Sequence, residues 1–237
     1  MKRTSLNCLL ANALLAACVV AAAPLMAASA AEETTQRLQD AATVFSELTS
    51  TPDKGIPKDL IERAKCIVIV PGLKKGAFIV GAKYGKGFIS CRGKDDGKWS
   101  APGAIRVEGG SFGFQIGGSE TDVVMLVMND SGERKLLESK FTLGAAGEVA
   151  AGPVGRMAAA ETDAKLTAEI LSYSRARGVF AGVSLQGATL RQDDEDNEAM
   201  YGSKISNMDI VQKHHAPTPA ASKLISELDQ YSPMEKK

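Results

Sequence analysis

The spacing of apolar and polar positions divides this chain into a helical opening, a long strand-like middle and a helical close. Over residues 34–49 the apolar positions Leu38, Ala41, Ala42, Phe45 and Leu48 recur at helical spacing, while Arg37, Asp40 and Glu47 fall on the other face. That predicts an amphipathic helix. A short second helix is expected from Pro57, a residue suited to a first helical turn, with Leu60, Ile61 and Ala64 turned inward. Residues 66–70 then form an unbroken apolar run that stops at Pro71-Gly72. Runs over 77–84 and 88–92 follow, separated by Gly85-Lys86-Gly87, and each reads as a strand bounded by turns. More strands are expected over 104–108, 111–117 and 122–128, then a helical turn over 131–139. A closing hairpin is expected from 168–175 and 179–190, turning at Arg177-Gly178. Residues 217–219 read as a proline-containing linker, and Leu224, Ile225 and Leu228 mark a last short helix.

Composition sharpens the class. Of the 23 glycines, 21 lie between Gly72 and Gly187, interrupting the strand-like runs. Glycine in those positions marks bulges, tight hairpins and close backbone approach. The expected fold is α+β, one domain dominated by a curved, mostly antiparallel glycine-rich sheet with N-terminal helices and a short C-terminal helix. Its expected limits are residues 32–205, followed by a linker and helix over 206–237.

The first 31 residues read differently. Lys2 and Arg3 precede a largely apolar, uncharged stretch over 6–25, and small residues at 28–31 precede Glu32 and Glu33, the pattern of an export signal. Leu15-Ala16-Ala17-Cys18 also fits a lipobox, in which Cys18 is lipidated and becomes the N-terminus. Either reading places the protein outside the inner membrane, in the periplasm or at the outer membrane. Removing residues 1–31 leaves 26 basic against 28 acidic residues, a balance that gives no steering toward nucleic acid. Cys66 and Cys91 remain, each at a strand edge. In an oxidising compartment they either pair, closing a 25-residue separation, or stay as half-buried thiols; without histidines nearby they do not make a zinc site.

Eleven basic residues against four acidic ones fall between Lys54 and Lys98. Among them Lys74, Lys75, Lys83 and Lys86 are expected in turns. If they share one edge of the sheet they form a patch for anionic lipid head groups; otherwise they are scattered solubilising charges. Catalytic patterns are weak. Gly109-Gly110-Ser111-Phe112-Gly113 fits G-x-S-x-G, but the residues that follow are β-formers and glycines, and the only histidines, His214 and His215, sit beside the proline-bounded linker. Gly81–Gly87 is short for a phosphate loop and reads as a hairpin turn. Asp193-Asp194-Glu195-Asp196-Asn197 lacks the glycine and distal glutamate of an EF-hand loop, and reads as a solvated acidic loop. Tyr173 and Arg175, with Arg156 and Asp163, read as a polar network or as packing. No cofactor is called for.

Several ordered blocks resemble one family. Ala64-Lys65-Cys66-Ile67-Val68-Ile69-Val70-Pro71, Gly109-Gly110-Ser111-Phe112-Gly113-Phe114-Gln115-Ile116-Gly117, Gly152-Pro153-Val154-Gly155-Arg156 and Ser172-Tyr173-Ser174-Arg175 are similar to the SYLF domain, also called the Ysc84 actin-binding family, over residues 36–204. The resemblance implies a non-catalytic lipid-binding protein, because eukaryotic members bind acidic phospholipids and some bind actin. For an exported bacterial chain, anionic phospholipid is the expected partner and actin an unlikely one. The eukaryotic lipid contact is attributed to a basic N-terminal helix, whereas here Arg37 is the only basic residue among Glu32, Glu33, Asp40 and Glu47. The alternative reading is a tethered structural or interaction module of the envelope, bound to a protein partner and without lipid affinity of its own.

Overall fold

Residues 66–70 run through the middle of the sheet, and their side chains alternate between two cores. Ile67 and Ile69 face one; Cys66, Val68 and Val70 face the other. A strand covered on both faces has no polar side to show, which is why its sequence is an unbroken apolar run. The computed structural model describes residues 29–50, 55–77, 80–94, 96–112, 117–143, 149–153, 168–176, 179–182, 185, 187–213 and 215–231. The two readings of the N-terminal leader, Cys18 included, lie outside them.

Among the described residues nine strands form one sheet: β1 (Cys66–Ala77), β2 (Val80–Cys91), β3 (Gly103–Phe112), β4 (Gly117–Val127), β5 (Lys140–Thr142), β6 (Val149–Ala151), β7 (Ile170–Ala176), β8 (Val179–Gly182) and β9 (Ala188–Gln192). Their order is β5-β9-β3-β2-β1-β4-β7-β6, and β8 also pairs with β7. Every pairing is antiparallel except β6 with β7. The α+β class with a mostly antiparallel sheet is therefore what the chain adopts.

Among the described residues six α-helices complete it: α1 over residues 29–49, α2 (Lys58–Arg63), α3 (Asp130–Leu137), α4 (Asp194–Tyr201), α5 (Asn207–Gln212) and α6 (Ser222–Tyr231). The apolar stripe of α1, from Leu38 to Leu48, packs on Ile67, Ile69, Phe88, Val124 and Tyr173, together with α2 and with Leu224 and Leu228 of α6. Burying side chains of that size stabilises by about 1.5–3 kcal/mol each. The opposite face is covered by Leu136 and Leu137 of α3 and Val211 of α5. Among the described residues no helix is long and apolar enough to cross a membrane.

Three sequence expectations change here. Pro71-Gly72 does not end the first strand; β1 continues through it with one extra residue, a bulge that shifts register against both β2 and β4. Proline has no N–H for a central ladder, so a bulge is where it is tolerated, and Gly72 takes φ +60° there. Its N–H donates to the Asp122 side chain of β4, Oδ1 at 3.0 Å, instead of to a backbone carbonyl. Gly85-Lys86-Gly87 is not a turn but the middle of β2, as is the whole of Gly81–Gly87. A Cβ on Gly87 would lie 2.1 Å from the Ile69 carbonyl oxygen, so this glycine answers to a close strand contact. Finally, residues 179–190 are not one strand: β8 hairpins with β7 as expected, whereas β9 lies at the far side of the sheet beside β3.

Candidate functional site

The bulge in β1 also decides which side chains share a face. Val70 and Leu73 both enter the same core, so beyond the bulge the even-numbered residues of β1 point toward α1. Lys74 therefore faces α1, with Tyr84 directly opposite it on β2 and Glu120 opposite it on β4. These three, with Lys86, Asp122 and Arg175, floor a cleft of about 810 Å3 walled by Glu33, Arg37 and Asp40 of α1. Arg175 closes one end, donating to Asp122 Oδ2 at 2.6 and 2.8 Å and pairing with Glu47 of α1.

The other end of the cleft is a buried ion network. Lys86 Nζ lies 3.0 Å from Asp193 Oδ2 and 2.9 Å from Asp196 Oδ1, and Arg37 of α1 pairs with Asp196 Oδ2 at 2.5 Å. Asp193 is fully buried and Asp196 nearly so. Burial pulls the Lys86 amine down, but hydrogen bonds to Asp196 and Asp193 more than reverse this, and its pKa is raised. The expected solvated acidic loop is thus a correction. Asp193 caps α4 by accepting from the Asp196 N–H at 3.2 Å, and Asn197 accepts from the Ala104 N–H at 2.8 Å. Two carboxylates and two cations there lock α1, α4 and β2 together. No local pattern signals it, because the partners are 110 and 159 residues apart.

The four lysines expected in turns all lie within strands, and they divide between the two faces. Lys74 and Lys86 face the cleft, whereas Lys75 and Lys83 are directly opposite one another on the other face. Neither Lys75 nor Lys83 has a carboxylate within 4.0 Å among the described residues. Burial, then the neighbouring Lys83 charge, lowers the Lys75 pKa. Cys66 and Cys91 also stand opposite one another, on β1 and β2, and are joined as a fully buried disulfide.

Ser111 sits in β3, and the next element among the described residues is β4 from Gly117. His215 packs edge-on to Tyr201, ring centres 4.9 Å apart; His214, Arg156 and Asp163 lie outside the described residues. One basic group was missed in the sequence. Arg106, Arg191 and Lys140 come from three distant segments, yet occupy adjacent positions across β3, β9 and β5.

Comparison with known proteins agrees with this fold-wide reading. A family model described as "Ysc84: Las17-binding protein actin regulator" matches residues 108–231, more than half of the chain. The chain belongs to the Ysc84 family. It is 38% identical over 192 residues to the human SH3 domain-containing YSC84-like protein 1, covering 79% of this chain and 55% of that protein. Its identity to LAS seventeen-binding protein 3 of Saccharomyces cerevisiae is 36% over 180 residues, covering 75% and 39%. Protein YSC84 of the same yeast is 35% identical over 180 residues, covering 75% and 38%. The chain therefore spans about half the length of its mammalian relatives and less of the yeast ones. The family model is named for binding and regulation and LAS seventeen-binding protein 3 for binding, and none of these relatives is named as an enzyme. The names favour protein partners in the family, and they lend no support to setting actin aside.

Proposed function

We propose that this Ysc84-family chain is an exported, non-catalytic module of the cell envelope that binds anionic phospholipid surfaces through Lys75 and Lys83. The observation that carries the reading is the Lys75–Lys83 pair itself. Like charges directly opposite on neighbouring strands destabilise a sheet, and here no carboxylate of the described residues relieves them. An anion between the two amines removes that repulsion, and a membrane displaying phosphates supplies many such anions, each lysine contributing on the order of 1 kcal/mol near the surface. Lys74 lies next to Lys75 but faces the cleft, and Lys86 is already neutralised by two aspartates. The lipid contact is therefore assigned to the Lys75–Lys83 face and not to all four lysines.

Sedimentation with vesicles tests the proposal, using the chain with Cys18→Ser so that no acyl anchor contributes. Binding to phosphatidylglycerol or cardiolipin, absent for phosphatidylcholine and weakened by salt, is the expected result. Equal binding to neutral and anionic vesicles would refute it. A second reading, a module for a protein partner, is favoured by the Las17-binding names of the relatives. Pelleting with actin filaments in the absence of lipid is the result that would support that reading instead.

A further inference from the structure

The cleft between α1 and the bulged end of the sheet carries more negative charge than its own cations neutralise. Arg37 and Lys86 are spent on Asp196 and Asp193 at one end, and Arg175 is shared by Asp122 and Glu47 at the other. Glu33 and Asp40 on the α1 wall and Glu120 on the floor are then left facing Lys74. None of these three carboxylates has a cation within 4.0 Å among the described residues, although Lys74 stands directly opposite Glu120. Three carboxylates and one lysine leave two negative charges over. Asp122 registers the imbalance: burial raises its pKa, the Gly72 N–H opposes this, and the Glu120 and Asp40 charges raise it further. On the same floor Tyr84, directly opposite Lys74, is 48% exposed.

The spacing of the carboxylates selects the form of the cation. Among the described residues no three acidic, cysteine or histidine side chains converge closely enough to hold one metal ion, so a point charge meets these carboxylates one at a time. Glu33 and Asp40 are seven residues apart on α1, two helical turns or about 10 Å along the axis. Ammonium groups separated by methylenes match such a spacing, and an extended triamine spans it from end to end. The methylenes need an apolar surface, which Pro71 and the Tyr84 ring supply, and an ammonium over the face of a tyrosine ring is attracted to it. An extended peptide is served less well. The floor strands β1, β2 and β4 are each paired on both sides, so the cleft offers a peptide no open strand edge, and the Gly72 N–H at the bulge is taken by Asp122. We infer that the cleft binds an extended aliphatic polyamine, its ammonium groups held by Glu33, Asp40 and Glu120 and its methylene chain lying on Tyr84. The site is on the α1 face of the sheet, opposite to that of Lys75 and Lys83, and does not depend on the membrane reading made for them.

Isothermal titration calorimetry of the full chain carrying Cys18→Ser, with the triamine spermidine in lipid-free buffer, tests the inference. One spermidine per chain is expected, bound more weakly as salt rises. The diamine putrescine should bind less tightly, and magnesium chloride at the same total charge should not displace spermidine. Asp40→Asn and Glu120→Gln should each weaken binding about fivefold, the upper value for an ion pair at an exposed position. Lys74→Gln should tighten it by a similar factor, and Tyr84→Leu, which keeps an apolar side chain but removes the ring face, should weaken it about threefold. All four positions are exposed, so these variants should unfold at the temperature of the parent chain. Lys75→Gln with Lys83→Gln should bind spermidine as the parent does. Absence of binding, affinity unchanged in the Asp40→Asn, Glu120→Gln double variant, or displacement by magnesium at equal charge would overturn the inference. So would a preference for a trilysine peptide over spermidine, which would assign the cleft to a basic segment of a protein partner.

Discussion

Lys86 and Lys75 show how one residue type serves opposite ends in neighbouring strands. Lys86 is held by Asp193 and Asp196, both nearly or fully buried, and removing one partner from such a group leaves the others uncompensated. Lys86→Met is expected to lose about 3 kcal/mol at neutral pH by urea unfolding. Because its pKa is raised in the folded protein, Lys86 contributes stability that is fully present below the usual lysine value of about 10.4 and is lost as pH rises through the higher folded value. The difference between parent and Lys86→Met should therefore shrink above that pH. Lys75 has the opposite sign. Its pKa is lowered, so its charge costs stability below the lowered value, and Lys75→Gln should raise stability by about 0.5 kcal/mol while weakening binding to anionic vesicles. A variant that is both less stable and unchanged in binding would remove Lys75 from the site.

At the scale of elements, the glycines separate into those that are required and those that leave a surface open. A Cβ at Gly87 would meet the Ile69 carbonyl oxygen and the Val70 Cα at 2.1 and 2.8 Å, backbone atoms that have no way to move aside. Gly87→Ala should abolish folding or cost more than about 3 kcal/mol. Gly76, in the same sheet, has nothing within 4 Å of its Cβ position, so Gly76→Ala should be neutral or slightly stabilising by thermal unfolding. Sequence pattern located most elements because their periodicities are strong: the stripe of α1, the apolar run opening β1, the hairpin between β7 and β8. It misjudged the same feature repeatedly. Proline and glycine read as turn signals at Pro71-Gly72 and at Gly85-Lys86-Gly87, where they serve a bulge and a close strand contact. That single extra residue in β1 reverses the facing of everything after it, which is why Lys74 and Lys75 could not be assigned to faces from spacing alone.

Over the whole molecule, the two cores are joined by long-range links that no local pattern reveals. The acidic stretch at 193–197 looked solvated because its partners, Lys86 and Arg37, are remote in sequence. The disulfide joins two central strands, and its reduction should cost about 3 kcal/mol for a loop of this length, read as a fall in Tm of about 10 °C for a domain of this size. The C-terminal segment belongs to the same body. Leu224 and Leu228 are buried in the core beneath α1, and Tyr231 meets Phe45 edge-on at 6.3 Å between ring centres. Ending the chain after Ile205 should therefore expose that core and give a protein of much lower Tm or one that aggregates; a truncated chain as stable as the parent would contradict this packing.

The central claim is that an anionic membrane relieves the Lys75–Lys83 repulsion, and its most direct test is vesicle affinity in the Lys75→Gln, Lys83→Gln double variant. With phosphatidylglycerol vesicles at low and high salt, the account predicts affinity about thirtyfold lower than the parent chain at low salt, on the order of 1 kcal/mol for each lysine, and a flatter dependence on salt. A double variant that binds as tightly as the parent, with the same salt dependence, would contradict it.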